Sequence, residues 1–102
     1  MTLRVLTIAR EEAAEAARWY EEQRTGFGDL FLEELSRVFE TVEQHPRAST
    51  QVTVAAPDRE VRRIVLRRFP YSVVYEVLAE EAVVIAIAHQ RRRPNYWIDR
   101  LN

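Results

Sequence analysis

Residues 59–97, REVRRIVLRRFPYSVVYEVLAEEAVVIAIAHQRRRPNYW, decide the fold. Three strand-like runs follow one another in this stretch: VRRIVLRRF (61–69), YSVVYEVL (71–78) and AVVIAIAHQ (82–90). Their β-branched and aromatic residues favour extended backbone. Pro70 parts the first run from the second, and the polar turn Ala79–Glu80–Glu81 parts the second from the third. Connections this short join antiparallel neighbours, so the stretch reads as a three-stranded meander. On the first run Ile64 and Leu66 share one face. Arg63, Val65 and Arg67 share the other, which therefore presents guanidinium groups while the first enters a core. Tyr71, Val73, Tyr75 and Val77 line one face of the second run. The third is apolar on both faces, Val83, Ile85 and Ile87 alternating with Ala82, Val84, Ala86 and Ala88, the pattern of a central strand.

Everything before residue 59 reads as the layer that covers this sheet. Leu3–Ile8 is a short first strand, and Thr7 stands where it would cap the helix that follows. From about Ala9 to Arg24, Ala13, Ala16, Ala17 and Tyr20 form one helical stripe, thin enough for close approach to a neighbour. Gly26 and Gly28, the only glycines, break that pattern. A second helix spans about Asp29 to Gln44, with a heavier stripe of Phe31, Leu35, Val38, Phe39 and Val42. Pro46 ends it, leaving His45 at a surface helix end. Two amphipathic helices on a four-residue loop form an antiparallel hairpin. Residues 47–58 are weakly patterned, with extended structure expected at Gln51–Ala55. Pro94 opens a final helical turn, NYWIDRL, from which Trp97 is expected to dock on the sheet edge. The fold class is α+β in two layers, β-α-α-β-β-β, with an antiparallel meander packed on a helical hairpin and a short C-terminal helical turn, in one domain over 1–102. Helices on one face alone would leave apolar sheet surface open, so a partner segment is expected to cover it, and self-association of the free protein is expected.

Composition excludes several classes. An apolar fraction of 47% and a charged fraction of 30% are those of an ordinary globular domain. No apolar run approaches the ~20 residues of a membrane span, so no membrane partner is expected. The start, MTLRVLTIAREE, lacks the long apolar core of a secretory signal, which fits a cytoplasmic location. There is no cysteine, hence no disulfide framework and no thiolate chemistry. Two distant histidines give no metal site, and no cofactor is implied. Residues 1–51 hold 6 Arg against 10 acids, a net −4, while residues 52–102 hold 9 Arg against 6 acids, a net +3. The total of −1 argues against a protein whose main task is tracking nucleic-acid backbone. All 15 cationic residues are arginine. Coding bias explains that, as does a preference for bidentate guanidinium forks.

The segments WYEEQRTGFGDLFLEEL (19–35), VRRIVLRRFPYSVVYEV (61–77) and VVIAIAHQRRRPNYW (83–97) resemble the RelE/ParE toxin superfamily of type II toxin–antitoxin modules, and most closely its ParE-like plasmid stabilisation branch. The pieces that carry the likeness best are Arg67–Tyr71 (RRFPY) and His89–Arg92 (HQRR). The resemblance implies a growth-arresting toxin masked by a cognate antitoxin, whose wrapping segment lies between sheet and helices. Two activities occur in the superfamily. ParE-like members poison DNA gyrase, and RelE-like members cleave mRNA on the ribosome without metal.

For gyrase inhibition the expected target-binding residues are Arg91, Arg92, Arg93, Tyr96 and Trp97, with Arg67, Arg68 and Tyr71 toward the antitoxin. For cleavage the candidates are Arg63, Arg67 and Arg91 as charge stabilisers and His89 as acid–base group, and Tyr96 stands beside these four as a stacking or proton-donating group. Each has a plainer reading beside it. His89 ends a strand, where histidines are commonly hydrogen-bonded for structure. Arg67 and Arg68 pair with acids of an antitoxin or of the first helix. Tyr96 and Trp97 pack, and Arg91–Arg93 form a solvated run. The absence of lysine and of strong positive charge weighs against the nuclease. A third reading is an inactive orphan that only binds antitoxin.

Overall fold

A computed structural model of the chain describes residues 1–55 and 58–101. Strand β1 (Thr2–Val5) leads directly into helix α1 (Thr7–Gln23). Helix α2 (Phe27–Gln44), strands β2 (Thr50–Val52), β3 (Val61–Val65), β4 (Tyr71–Val77) and β5 (Glu81–His89), and a closing 3-10 turn (Ile98–Leu101) follow. The five strands form one sheet in the order β1-β5-β4-β3-β2. β2 to β5 are antiparallel neighbours, while β1 runs parallel to β5 from Thr2 opposite Glu81 to Val5 opposite Val84. The class, the helical hairpin and the meander are those expected. β2 is a short edge strand inside the weakly patterned connection, starting one residue before the expected extended segment and ending at Val52. Residues 56 and 57 of that connection lie outside the described residues.

The first junction differs from expectation. β1 stops at Val5 rather than Ile8: the Leu6 N–H makes a last bond to β5, at the Val84 carbonyl (3.1 Å), and the Leu6 carbonyl already accepts the first helical bond, from Arg10. Leu6 then occupies the cap position with extended backbone and no side-chain cap bond, so Thr7 is the first helical residue and caps nothing. The second junction explains both glycines. Gly26 sits at φ 93°, a left-handed conformation that only glycine adopts without strain. Gly28 lies against α1 so closely that a Cβ there would meet the Ala17 carbonyl oxygen at 2.7 Å. The thin alanine stripe makes this approach possible. The Glu21 carboxylate of α1 accepts from the N–H groups of Gly26 and Gly28 (3.0–3.1 Å), supplying the cap that α2 lacks from its own side chains.

Two cores form, one on each face of the sheet. Toward the helices, Ala9, Ala16, Ala17, Phe31, Leu35 and Val42 pack on Leu66, Phe69, Val73, Tyr75, Val77, Val84 and Ile87. Tyr20, Phe31, Phe69 and Tyr71 make an aromatic cluster with centroids 4.8–6.2 Å apart. On the other face Val61, Val74, Val83, Ile85 and Ala86 are covered by Trp97 and Leu101 of the chain's own C-terminal segment. Trp97 is therefore a face residue, 4% exposed, and not a docked edge residue. The apolar sheet surface for which a partner segment was expected is closed internally, which removes the argument for self-association that rested on it.

β5 departs from simple alternation. Val74 pairs with Ala86 but Tyr75 with Val84, so Ile85 is an extra residue in the ladder. This bulge sends Ile85 and Ala86 to the outer core and returns Ile87 to the helix side. The face assignment read from strict alternation holds through Ile85 and is wrong from Ala86 onward for that reason. Arg67 is likewise displaced. β3 ends at Val65, which leaves Arg67 in the turn and not on the strand face of Arg63 and Val65.

Candidate functional site

β1 ends before β5 does, so the outer edge of β5 beyond Val84 has no strand neighbour. Side chains take over there. The Ile87 N–H donates to the Glu12 carboxylate of α1 (3.0 Å), and the Ile85 carbonyl accepts from Arg100 (3.1 Å). Arg100 in turn grips Glu12 with two nitrogens, each at 3.0 Å, and the Tyr96 hydroxyl donates to the same carboxylate at 2.7 Å. Burial and that Glu12 bond push the Tyr96 phenol well above its ordinary value. Its ring is flanked by Arg92 at 3.8 Å and Arg100 at 5.1 Å, both at cation–π distance. A second anchor holds the far end of the segment: Arg59 bonds the buried Glu76 carboxylate and the Leu101 carbonyl. The segment that carries Arg91, Arg92 and Arg93 is thereby fixed to α1, β5 and β4.

The arginine run itself is exposed, and among the described residues no ion pair engages it. Asn95, at φ 58°, turns the chain back toward the sheet after Pro94. Beside the run lies a cleft of about 300 Å3, lined by Arg63, Ser72, His89, Gln90, Arg92, Arg93 and Tyr96 among others. Of the four candidates for cleavage it thus gathers Arg63 and His89. Arg91 and Arg67 do not line it. The Arg91 N–H donates to His89 Nδ1 at 3.0 Å, which places the proton of the neutral ring on Nε2. His89 is half-buried and edge-on to Tyr71, centroids 4.9 Å apart. To accept a proton, its ring would have to give up the Arg91 bond. The Tyr96 hydroxyl, already committed to Glu12 and with its pKa raised, is a poor proton donor to a substrate.

Arg67 and Arg68 belong to the β3–β4 turn, which α2 positions. The buried Glu34 carboxylate, 6% exposed, accepts from both backbone N–H groups, and its Oε1 lies 3.5 Å from the Arg68 guanidinium. That atom has no other partner. The internal acid for this arginine pair is thus on the second helix, not the first. Both side chains remain exposed, and Tyr71 lines a separate cleft against α1. Sequence reasoning missed Glu12, Arg100, Arg59 and Glu34. The only signal for Glu12 was an acid beside the alanine stripe, with nothing to link it to residues more than eighty positions away. Among the described residues no cluster of His, Asp or Glu fits a metal ion, and no helix is long and apolar enough to cross a membrane.

The architecture is a helical hairpin on a five-stranded sheet, closed by a C-terminal segment that presents arginines. The fold is similar to that of a solved chain from the chromosomal ParDE TA system of P. aeruginosa, with a TM-score of 0.69 and 17% identity over 87% of this chain and 95% of that one. Residues 3–94 match the family of the ParE toxin of type II toxin-antitoxin systems, parDE, and the chain belongs to that family. No curated protein matches it by sequence.

Proposed function

We infer that this ParE-family chain arrests growth by contact with DNA gyrase through Arg91, Arg92 and Arg93, and that a cognate antitoxin neutralises it. The observation that carries the reading is the arginine run: three cations, exposed and unpaired among the described residues, on a backbone held from two sides. Unpaired cations on a rigid segment lose little side-chain and loop freedom on binding an acidic surface, and they steer its approach. Tyr96 and Trp97 support the run from beneath instead of touching the target, Tyr96 through Arg92 and Trp97 through the outer core. Arg67 and Arg68 remain available to antitoxin carboxylates.

A test is induction of the chain in a bacterial host with pulse-labelling of DNA and protein synthesis, next to a supercoiling assay on purified gyrase. DNA synthesis falls first, supercoiling is inhibited, and Arg91→Glu with Arg93→Glu relieves both. A first fall in protein synthesis would reject this reading. It would favour the second one, metal-independent mRNA cleavage on the ribosome, for which the basic cleft holding Arg63 and His89 speaks. His89→Ala would then abolish cleavage.

A further inference from the structure

On the other side of His89 is a second cleft, of about 340 Å3, between α1 and the ends of β4 and β5. That is the low end of small-ligand sites, ~300–1,000 Å3. Its character is opposite to the basic cleft. Trp19, Tyr20, Tyr71 and His89 supply aromatic walls, Ala16 and Ile87 an apolar floor, and Glu12 and Glu15 carboxylates. Trp19 is 54% exposed, an unusual position for the largest side chain of a helix. It is held edge-on to Tyr20 with centroids 5.1 Å apart. Ile8, Glu12, Glu15 and Trp19 fall at i, i+4, i+7 and i+11 of α1, one lateral stripe with apolar ends and an acidic middle, exposed except at Glu12, which turns to the β5 edge.

We propose that this cleft receives an arginine side chain of a partner polypeptide, its guanidinium stacked against Trp19 and paired with Glu15, with apolar neighbours lying along the α1 stripe toward Ile8. The inference rests on the reading of the chain as a toxin masked by a partner. Charge complementarity selects the occupant. Glu12 is already taken by Arg100, but Glu15 has no ion pair among the described residues. Arg92 lines the cleft too, yet its guanidinium lies on the Tyr96 ring. The environment of Tyr71 agrees: after burial, the charges that raise its pKa are those of Tyr20, Glu15 and Glu12. The chain also shows the chemistry it would offer, since Arg100 meets Glu12 and the Tyr96 face together. A planar cation satisfies aromatic faces and a carboxylate at once, which neither an apolar side chain nor an anion does.

The test uses the full chain and two blocked five-residue peptides, leucine-alanine-arginine-alanine-leucine and its twin with neutral citrulline in place of arginine. The Trp19 indole N–H resonance is the reporter, Trp97 being buried. The arginine peptide shifts it saturably, and the citrulline twin binds about tenfold more weakly. Glu15→Gln, a change at an exposed residue, weakens the arginine peptide about fivefold and leaves the citrulline peptide unchanged. Equal affinity of the two peptides would assign the cleft to a neutral apolar side chain and overturn the proposal. Indifference to Glu15→Gln, or no saturable shift of Trp19, overturns it as well. Growth arrest is not read in this titration, so failure here and failure of the toxin reading are separate results.

Discussion

Glu12 accepts hydrogen bonds from three separate places, the Ile87 backbone, the Tyr96 hydroxyl and the Arg100 guanidinium. Removing one member of a half-buried charged network leaves the others unpaired, which costs more than the network's net contribution. Glu12→Ala is therefore expected to lower stability by about 2–3 kcal/mol in urea denaturation. It should also speed amide exchange over Trp97–Leu101 well beyond the rest of the chain. Uniform loss of protection would show that Glu12 supports the whole fold and not this segment. Gly28 is the steric counterpart. A methyl group there meets the Ala17 carbonyl at 2.7 Å, so Gly28→Ala must part the helices, at about 1–3 kcal/mol. Neither role was legible in the sequence. Glu12 looked like one acid on a solvated helix face, and Gly28 like half of a loop signal. Their functions depend on partners that only the fold brings near.

At the scale of elements, the sequence was informative wherever one period held. Both helices, the end at Gln44 and the face of Tyr71, Val73, Tyr75 and Val77 follow from local pattern, because burial on one side imposes it. The pattern misled where one residue was inserted, since the bulge at Ile85 reverses the faces of all that follows in β5. It also misled in the C-terminal segment. NYWIDRL is too short to show a period, yet it closes the outer core. This changes how the arginine run has to be tested. Deleting everything after Gln90 would remove Trp97 and Leu101, 4% and 7% exposed, and uncover Val61, Val74, Val83 and Ile85. Such a truncation is expected to aggregate. Trp97→Ala alone should cost about 3–5 kcal/mol in thermal or urea unfolding. Arg91→Ala and Arg93→Ala, at exposed positions, should stay within about 0.5 kcal/mol of the parent. A full-length triple Arg91, Arg92 and Arg93 to alanine chain that unfolds like the Trp97 variant would place the run in the core's support and not on a contact surface.

For the whole molecule, a change of protonation state at each end of the pH scale works against the fold, by different groups. On the acid side, Arg62 and then Arg47 hold the Glu60 carboxylate below its ordinary 4.5, against the opposing effect of burial. A depressed folded pKa means stability that is complete above the unfolded value and lost as pH falls through the folded one. Glu60→Gln should thus cost about 1 kcal/mol at neutral pH and flatten the decline below pH 4.5. On the alkaline side the direction is reversed. Tyr20, Tyr71, Tyr75 and Tyr96 are the only tyrosines, and burial is the leading cause that raises each above 10.0. A raised folded pKa gives stability that is present below 10.0 and lost as pH climbs toward the folded value, since only the unfolded chain releases those protons there. A spectrophotometric titration should therefore show less phenolate absorbance at pH 10 in the folded chain than in the urea-unfolded chain, with the remaining phenols ionising as the chain unfolds at higher pH. Tyr96→Phe should extend the alkaline limit, because it removes the phenol with the largest upward displacement, while lowering stability at neutral pH through the lost Glu12 bond. A Tyr96 phenol that titrates at its ordinary value in the folded chain would mean that solvent reaches the Glu12 network, and that the C-terminal segment does not close the sheet in solution.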